Sequence, residues 1–237
     1  MVRPTPKLLK PLTFLVKAIV DLIYPPLCVL CETRLDEDQE QICYACLDGF
    51  VLLEHPHTDF SVPGELFIDE AWALFDYEDK VKTLIHHLKY SQRRKPLLRA
   101  LNYFEKDILG RFHARQYDWV LPVPLHPRKL RERGYNQVDD MAAWIAGKLG
   151  ATVAHNLVVR SRYTQTQTQL NAEQRQKNLA GAFQIKEDRS LENMRILLVD
   201  DVLTTGATSN TLARVLKEKG CLHVGLLTIS TPHLSDA

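Results

Sequence analysis

The sequence predicts an α/β protein, with a parallel sheet flanked by helices and a small four-cysteine zinc finger in front of it. Two observations support this fold class. From residue 70 onward, unbroken apolar segments alternate with segments of helical period, as in sheets covered on both faces. Nearer the start, four cysteines form two Cys-x-x-Cys pairs, the spacing typical of zinc sites.

Length and composition agree with this class. The chain has 237 residues, 45% of them hydrophobic and 25% charged, which suits one substantial domain with an appendage. The net charge of +1 does not by itself point to a polyanionic partner, but the charge is unevenly spread. Residues 54–79 contain eight acids and no Lys or Arg, whereas residues 80–133 contain fourteen Lys and Arg and four acids. This basic block is either an ordinary solvated surface or a phosphate-binding face.

The N-terminal segment, residues 1–26, has an apolar stretch that Lys17 and Asp21 interrupt, and no small-x-small cleavage site follows it. It is too short and too charged to span a bilayer. We therefore expect an amphipathic helix that packs on the body and ends at Pro25-Pro26, with a membrane-surface role as the alternative. Because no export signal is visible, we expect a cytoplasmic protein without stable membrane insertion.

Residues 27–50 are predicted to form the zinc finger, with the ligand pattern Cys28-x2-Cys31-x11-Cys43-x2-Cys46. Two such pairs complete a tetrahedron of thiolates and leave no position for a catalytic water, so the zinc is predicted to be structural. Disulfides would need an oxidising compartment, and a redox motif normally has a single pair. Cys221 lies at the start of a predicted strand and is interpreted as a small buried hydrophobe.

After an irregular linker over residues 51–69, the main domain is predicted to cover 70–237. Residues 70–76 suit a strand, and 78–90 place apolar residues at a helical period. A second helix fits about 96–109, and prolines stop a short apolar strand at 118–124. Gly150 ends a helix over 138–150, and strands are predicted at 156–159 and 195–199. A helix over 205–219, closed by Gly220, leads to a last strand at 223–229.

The segment "RILLVDDVLTTGAT" (195–208) is the most specific candidate site. Asp200 and Asp201 follow a buried strand at the sheet edge where ligands of open α/β folds bind. The turn that follows supplies hydroxyl and backbone N–H groups at a helix N-terminus, an arrangement that binds phosphate. The two carboxylates can accept hydrogen bonds from vicinal sugar hydroxyls or meet a divalent cation, so a sugar 5-phosphate fits this pattern.

Other interpretations account for this segment less well. Helix capping would use a single carboxylate, so two are more than a cap requires. A receiver domain carries its paired acids after the first strand, whereas here the motif lies close to the C-terminus. Dinucleotide and P-loop folds need G-x-G-x-x-G or G-x-x-x-x-G-K-[ST], and neither motif occurs in the sequence.

The acid-pair segment resembles the phosphoribosyl-pyrophosphate (PRPP) signature of type I phosphoribosyltransferases. Nearly the whole chain resembles the ComF family of competence-associated proteins within that superfamily. The matching segments, in order, are "YPPLCVLC…CYAC", "LIHHLKY", "PVPLHPRKLRERGYNQ" and "RSRYTQTQTQLNAEQRQKNLAGAF", followed by the acid pair. Many relatives have more cysteines in the finger; the four found here imply a single zinc.

The resemblance implies a role for each matching segment. Asp200 and Asp201 would be the catalytic acids that hold the ribose hydroxyls of PRPP, which binds with Mg²⁺. The 5-phosphate would lie on Thr204, Thr205, Gly206, Ala207 and Thr208, and the pyrophosphate would face Lys89, Arg131, Arg133 and the rest of a loop after the strand at 119–123. A mobile hood over 160–178 would carry Arg160, Arg162, Gln167 and Arg175, which could equally stabilise the hood itself. Tyr135, Asn136 and Gln137 belong to the same pattern without an individual role.

Two classes of function follow from the resemblance. The favoured one is a phosphoribosyltransferase-fold protein that binds PRPP and single-stranded DNA during DNA uptake or utilisation. The resemblance implies a competence helicase and a recombination-mediator protein as partners. The alternative is an active phosphoribosyltransferase that transfers the pentosyl group to a small acceptor. No pocket for such an acceptor is recognisable in the sequence, so turnover stays open.

Overall fold

The structure is a computed structural model that describes residues 20–56, 62, 64–91, 94–112, 116–160, 181–186 and 190–232. Its centre is a five-stranded, entirely parallel sheet in the order β1-β7-β6-β2-β3. The strands are β1 (Glu70–Asp76), β2 (Trp119–Pro122), β3 (Thr152–Val153), β6 (Arg195–Val202) and β7 (His223–Thr231). A separate antiparallel ribbon pairs β4 (Val158–Arg160) with β5 (Phe183–Ile185).

The helices are α1 (Tyr44–Leu47), α2 (Asp79–Tyr90), α3 (Lys95–Tyr103), α4 (Glu105–Gly110), α5 (Pro127–Arg133), α6 (Asp139–Leu149) and α7 (Ala207–Glu218). Residues 20–23 are also helical; the rest of the predicted N-terminal helix lies outside the described residues. Within the part of the chain that the structure describes, no helix combines the length and apolarity needed to cross a bilayer.

The sheet separates two hydrophobic cores, which is why its strands are apolar on both faces. Along β6, Leu197 and Val199 belong to the core formed with α2, α3 and α6, whereas Ile196 and Leu198 belong to the core formed with α7 and the ribbon. All four side chains are fully buried. The predicted parallel sheet with helices on both faces is therefore confirmed. Its central strand continues through both acids to Val202, beyond the predicted end at residue 199.

Three local predictions differ from the structure. The predicted strand at 156–159 exists as β4 but pairs with β5 in the ribbon, while the fifth strand of the main sheet is the two-residue β3, too short to give a pattern. The predicted helix over 96–109 is divided at Phe104, whose backbone leaves the helical region (φ −97°, ψ 18°). Its ring packs against Phe75 with a centroid distance of 5.4 Å.

The third difference is α5, which occupies part of the loop predicted after β2. Pro127 starts the helix, the backbone N–H of Arg128 donates to His126 Nδ1 at 3.1 Å, and Gly134 ends it with φ 83°. These are ordinary start and stop signals. No residue of α5 is buried, so the segment has no apolar period from which a helix could be predicted.

The segment predicted as a linker is partly docked on the main domain. The N–H of Leu53 donates to Leu74 O at 3.0 Å, and that of Asp76 donates to Val51 O at 2.9 Å. Residues 51–53 thus cover the outer edge of β1, whose N–H and C=O groups would otherwise be exposed. On α7, buried Asn210 accepts a hydrogen bond from Phe67 N at 2.7 Å and donates to Glu65 O at 3.0 Å.

Candidate functional site

The acid pair lies at the carboxyl end of the central strand. Asp200 is opposite Thr228 of β7, and the preceding Val199 is opposite Pro122 of β2. Both neighbouring strands end nearby, so the loops that follow β2 and β6 meet at this edge. Asp201 is only 9% exposed, and its backbone N–H donates to Asp200 Oδ1 at 2.9 Å.

Asp201 is held by a network from two other elements. Lys89 Nζ at the end of α2 lies 2.8 Å from Asp201 Oδ2, and Gln137 Nε2 donates to the same oxygen at 2.7 Å. The guanidinium of Arg133 donates in turn to Gln137 Oε1. Lys89 therefore contacts the acid pair directly, whereas its predicted contact with a pyrophosphate stays a prediction. The contact of Gln137 with Asp201 was not predicted from the sequence.

Asp200 is in a different electrostatic environment. Burial, followed by the negative charge of Asp201, raises the pKa of Asp200 to about 7; Lys89 and Arg160 act in the opposite direction. A carboxyl group with such a pKa changes charge near neutral pH, a property common at functional sites.

Basic side chains from three elements surround the acid pair. The pKa of Lys129 is lowered first by burial and then by the charges of Arg160, Arg133 and Lys89, while Asp201 raises it. The charge of Asp200 acts on Arg160 in the ribbon. We call Lys89, Lys129, Arg133 and Arg160 the basic ring, because these cations interact electrostatically with the acid pair or with one another.

Arg131 does not belong to this ring. It is exposed on α5, and its charge lowers the pKa of His126 after burial and the charge of Arg160. The side-chain contacts of Asp201 among the described residues come from Lys89 and Gln137, not from Arg131. Lys129, two residues earlier in α5, is partly buried, and the negative charge of Asp201 acts on it.

The turn after β6 has the form expected of an anion cradle. Gly206 is in the left-handed region (φ 77°) and is the N-cap of α7, which agrees with the need for glycine there. The hydroxyl of Thr205 accepts a hydrogen bond from Ala207 N at 3.3 Å. Thr204 is exposed and Thr208 is partly buried in the first turn, where helix N–H groups lack intrahelical acceptors.

The residues after α5 acquire individual roles in the structure. The Tyr135 hydroxyl donates to Leu88 O at the end of α2, and Asn136 Nδ2 donates to Val123 O at 2.9 Å. Gln137 contacts Asp201 as described above. This short run ties α2, the end of β2 and the acid pair together, which no periodic signal in the sequence indicates.

Part of the predicted hood lies outside the described residues. Arg162, Gln167 and Arg175 belong to this part. Arg93, which the resemblance groups with Lys89 near the pyrophosphate, also lies outside the described residues. Arg160 is described at the end of β4, with its guanidinium carbon 5.5 Å from the centre of the Phe183 ring. Their predicted roles stay predictions.

The four finger cysteines converge as the spacing predicts. The Sγ atoms of Cys28, Cys31, Cys43 and Cys46 all lie within 4.8 Å of one another, and those of Cys31 and Cys43 are 3.6 Å apart. A tetrahedron with metal–sulfur bonds of about 2.3 Å has sulfur–sulfur distances of about 3.8 Å, so these residues fit such an ion. Hydrogen bonds with Thr33 lower the pKa of the Cys31 thiol to about 6. The cluster could therefore bind a metal.

Comparison with known proteins places these features in a family. The profile of the "Phosphoribosyl transferase domain" family matches residues 139–233. The chain is 34% identical over 222 residues to the DNA utilization protein YhgH of Escherichia coli K12, covering 86% of this chain and 96% of that protein.

Two competence proteins match over a similar length. Competence protein F of Haemophilus influenzae is 26% identical over 209 residues, covering 81% of this chain and 91% of that protein. Competence protein ComFC of Bacillus subtilis is 23% identical over 231 residues, covering 84% and 91%. With its zinc-finger-like cysteines, parallel sheet and acid-pair turn, the chain belongs to the ComF family of phosphoribosyltransferase-like proteins.

Proposed function

We propose that this protein binds PRPP, or a related ribose 5-phosphate, together with Mg²⁺ at the acid pair, and that it acts in DNA uptake or DNA utilisation. The observation that supports the ligand is the placement of Asp200 and Asp201 between the basic ring and the turn at the start of α7. The names of the relatives, competence proteins and DNA utilization proteins, support the cellular role.

The carboxylates of Asp200 and Asp201 can accept hydrogen bonds from a sugar. The described contacts use Asp200 Oδ1 and Asp201 Oδ2, so Asp200 Oδ2 and Asp201 Oδ1 remain as acceptors for two vicinal hydroxyls. The 5-phosphate would lie on residues 204–208, where hydroxyl and N–H groups converge at the positive end of α7. The pyrophosphate would meet the basic ring. When bound, Mg²⁺ supplies positive charge that neutralises the pyrophosphate oxygens.

For the cysteine cluster we propose one structural Zn²⁺. Four protein thiolates fill a tetrahedral site, and the backbone N–H of Cys43 donates to Cys28 Sγ at 3.4 Å, an outer contact that stabilises a thiolate ligand. A zinc site of four thiolates needs cysteines that stay reduced, so we propose that the protein acts in the cytoplasm.

Pentosyl transfer from PRPP to a small acceptor is the alternative at the same site. The basic ring favours it, because cations positioned at a leaving pyrophosphate would stabilise the transition state. For the role in DNA uptake or utilisation, the proposed activity is binding of single-stranded DNA. The basic block of residues 80–133 supports it. The competence helicase and the recombination mediator that the resemblance implies stay proposals as partners.

The proposal is tested by calorimetric titration of PRPP with Mg²⁺ into the wild-type protein and variants. We expect Asp200→Ala and Asp201→Ala each to weaken binding by about 1–3 kcal/mol, because charged hydrogen-bond acceptors are lost. Asp118→Ala is the matched control, since Asp118 lies at the start of β2, at the opposite end of the sheet. Equal affinity of the wild type and the Asp200/Asp201 double variant would reject the site.

Turnover is tested in the same samples by measuring pyrophosphate release with and without candidate acceptors. Release that depends on an acceptor and disappears in Asp200→Ala supports the transferase. Tight PRPP binding without release for any acceptor supports the binding role.

A further inference from the structure

We infer that the exposed ring of Tyr90 is a stacking surface for an unpaired base of a single-stranded nucleic acid, whose phosphates contact the neighbouring arginines. This inference rests on the proposed DNA role and adds to it the residues that contact the strand. It concerns the end of α2 and the arginines Arg94 and Arg133, beside the acid pair but separate from the proposed sugar site.

Tyr90 has an aromatic ring that is largely exposed and has few contacts with other rings. It is the last residue of α2 and is 69% exposed, although the adjacent Leu88 and Lys89 both face the body of the protein. The rings of Tyr44 and Tyr103, two other exposed tyrosines, pack against each other with a centroid distance of 6.1 Å. The only ring partner of Tyr90 among the described residues is His86, itself exposed, at 4.9 Å.

One arginine lies over this ring, and a second lies over the ring of Tyr135. The guanidinium carbon of Arg133 lies 5.8 Å from the centre of the Tyr90 ring, and that of Arg94 lies 5.5 Å from the centre of the Tyr135 ring. Arg94 is half exposed despite its contact with Asp140. An aromatic ring beside partly exposed guanidinium groups is the combination that sequence-tolerant single-strand binders use, with bases on the rings and phosphates on the cations.

The surface is continuous with the acid-pair site. Arg133 contacts both the Tyr90 ring and Gln137, and Gln137 donates to Asp201. A strand on Tyr90 would therefore run along the border of the proposed PRPP site. The partner is a single strand because each base of a duplex is already stacked on both faces and paired, so a protruding side chain can stack only on an unpaired base.

The experiment is fluorescence anisotropy of a labelled oligothymidylate at several salt concentrations. We expect Tyr90→Ala to lower the affinity about tenfold, the effect of losing one stacked base, and Tyr90→Phe to keep it. The slope of log affinity against log salt should be the same in wild type and Tyr90→Ala, because no charge changes. Tyr24→Ala is the matched control, since Tyr24 is 77% exposed in the segment before the finger.

Two further probes distinguish stacking of a base from binding of the DNA backbone, and binding of a strand from binding of a free base or nucleoside. An oligonucleotide with abasic sites should bind the wild type as weakly as oligothymidylate binds Tyr90→Ala. Free thymine and thymidine should not compete. Equal affinity of the wild type and Tyr90→Ala for oligothymidylate would overturn the stacking surface alone, whereas a wild type that binds no strand would overturn it together with the DNA-binding part of the proposed function.

Discussion

At the residue scale, the two adjacent acids differ in what surrounds them. Asp201 accepts from Lys89 and Gln137, so its negative charge is compensated by protein groups. Asp200 is only partly exposed beside that charge, and desolvation, followed by the charge of Asp201, raises its pKa to about 7. In the ligand-free protein the pair can therefore hold one proton near neutral pH, and a ligand that donates hydroxyls or brings a cation would compete with that proton.

This difference predicts a pH dependence of stability. The pKa of Asp200 is about 7 in the folded protein and about 3.9 in an unfolded chain, so the folded state binds more protons between these values. Stability contributed by this group is therefore present at pH 4 and lost as the pH rises towards 7. In Asp200→Asn this component should vanish, so that the difference in melting temperature between variant and wild type increases from pH 4.5 to 7.5.

Calorimetric melting curves at constant ionic strength measure this difference, and Asp118→Asn is the matched control. A wild type and an Asp200→Asn variant whose melting temperatures run parallel over this range would contradict the raised pKa.

At the element scale, the end of α2 joins three parts of the molecule through consecutive residues. His87 Nε2 lies 3.1 Å from Val29 O in the finger, Leu88 O accepts from the Tyr135 hydroxyl, and Lys89 contacts Asp201. Because these residues lie on successive faces of one helix end, a displacement of α2 would disturb all three contacts.

The contact of Tyr135 with this helix end can be removed without a change of shape. We expect Tyr135→Phe to lower the free energy of unfolding by about 1 kcal/mol, because a partly buried hydrogen bond is lost, and to weaken PRPP binding, because α2 carries Lys89. Tyr117→Phe is the matched control: its hydroxyl donates to Glu70 Oε1 at 2.6 Å at the opposite end of the sheet. Urea unfolding and calorimetry measure both effects, and unchanged PRPP affinity in Tyr135→Phe would contradict the role assigned to α2.

How far the sequence predicts these elements depends on whether they bury an apolar face. β1, α2, β6, α7 and β7 were predicted closely, because their buried residues follow the period of a helix or form an unbroken strand. α5 and β3 were not, since α5 buries nothing and β3 has two residues. The acid pair and the cysteine cluster could be predicted because the residues of each motif lie close together in the sequence. Gln137 was not assigned a role, because its contact with Asp201 spans 64 positions of the chain.

At the scale of the whole molecule, the finger and the main domain share one hydrophobic core. Ile42 and Leu47 of the finger are fully buried in the same core as Leu84 and Leu88 of α2, and the Phe50 and Phe75 rings have a centroid distance of 5.1 Å. A segment of this size cannot form a core by itself, so the cysteine cluster and the main domain stabilise each other. The finger is thus part of the support of α2, and through α2 of Lys89.

This shared core predicts that loss of the metal weakens the acid-pair site. Cys43→Ser should abolish the one zinc per chain in elemental analysis, because metal binding and local folding are coupled. It should also raise hydrogen exchange in residues 79–90 and lower the affinity for PRPP, since Val29 no longer holds His87 and Lys89 becomes mobile. Cys221→Ser is the matched control: Cys221 is buried outside the finger and its thiol donates to Met194 O at 3.2 Å, a bond that serine can keep. A zinc-free Cys43→Ser protein with wild-type exchange in α2 and wild-type PRPP affinity would show instead that the finger serves another surface of the molecule.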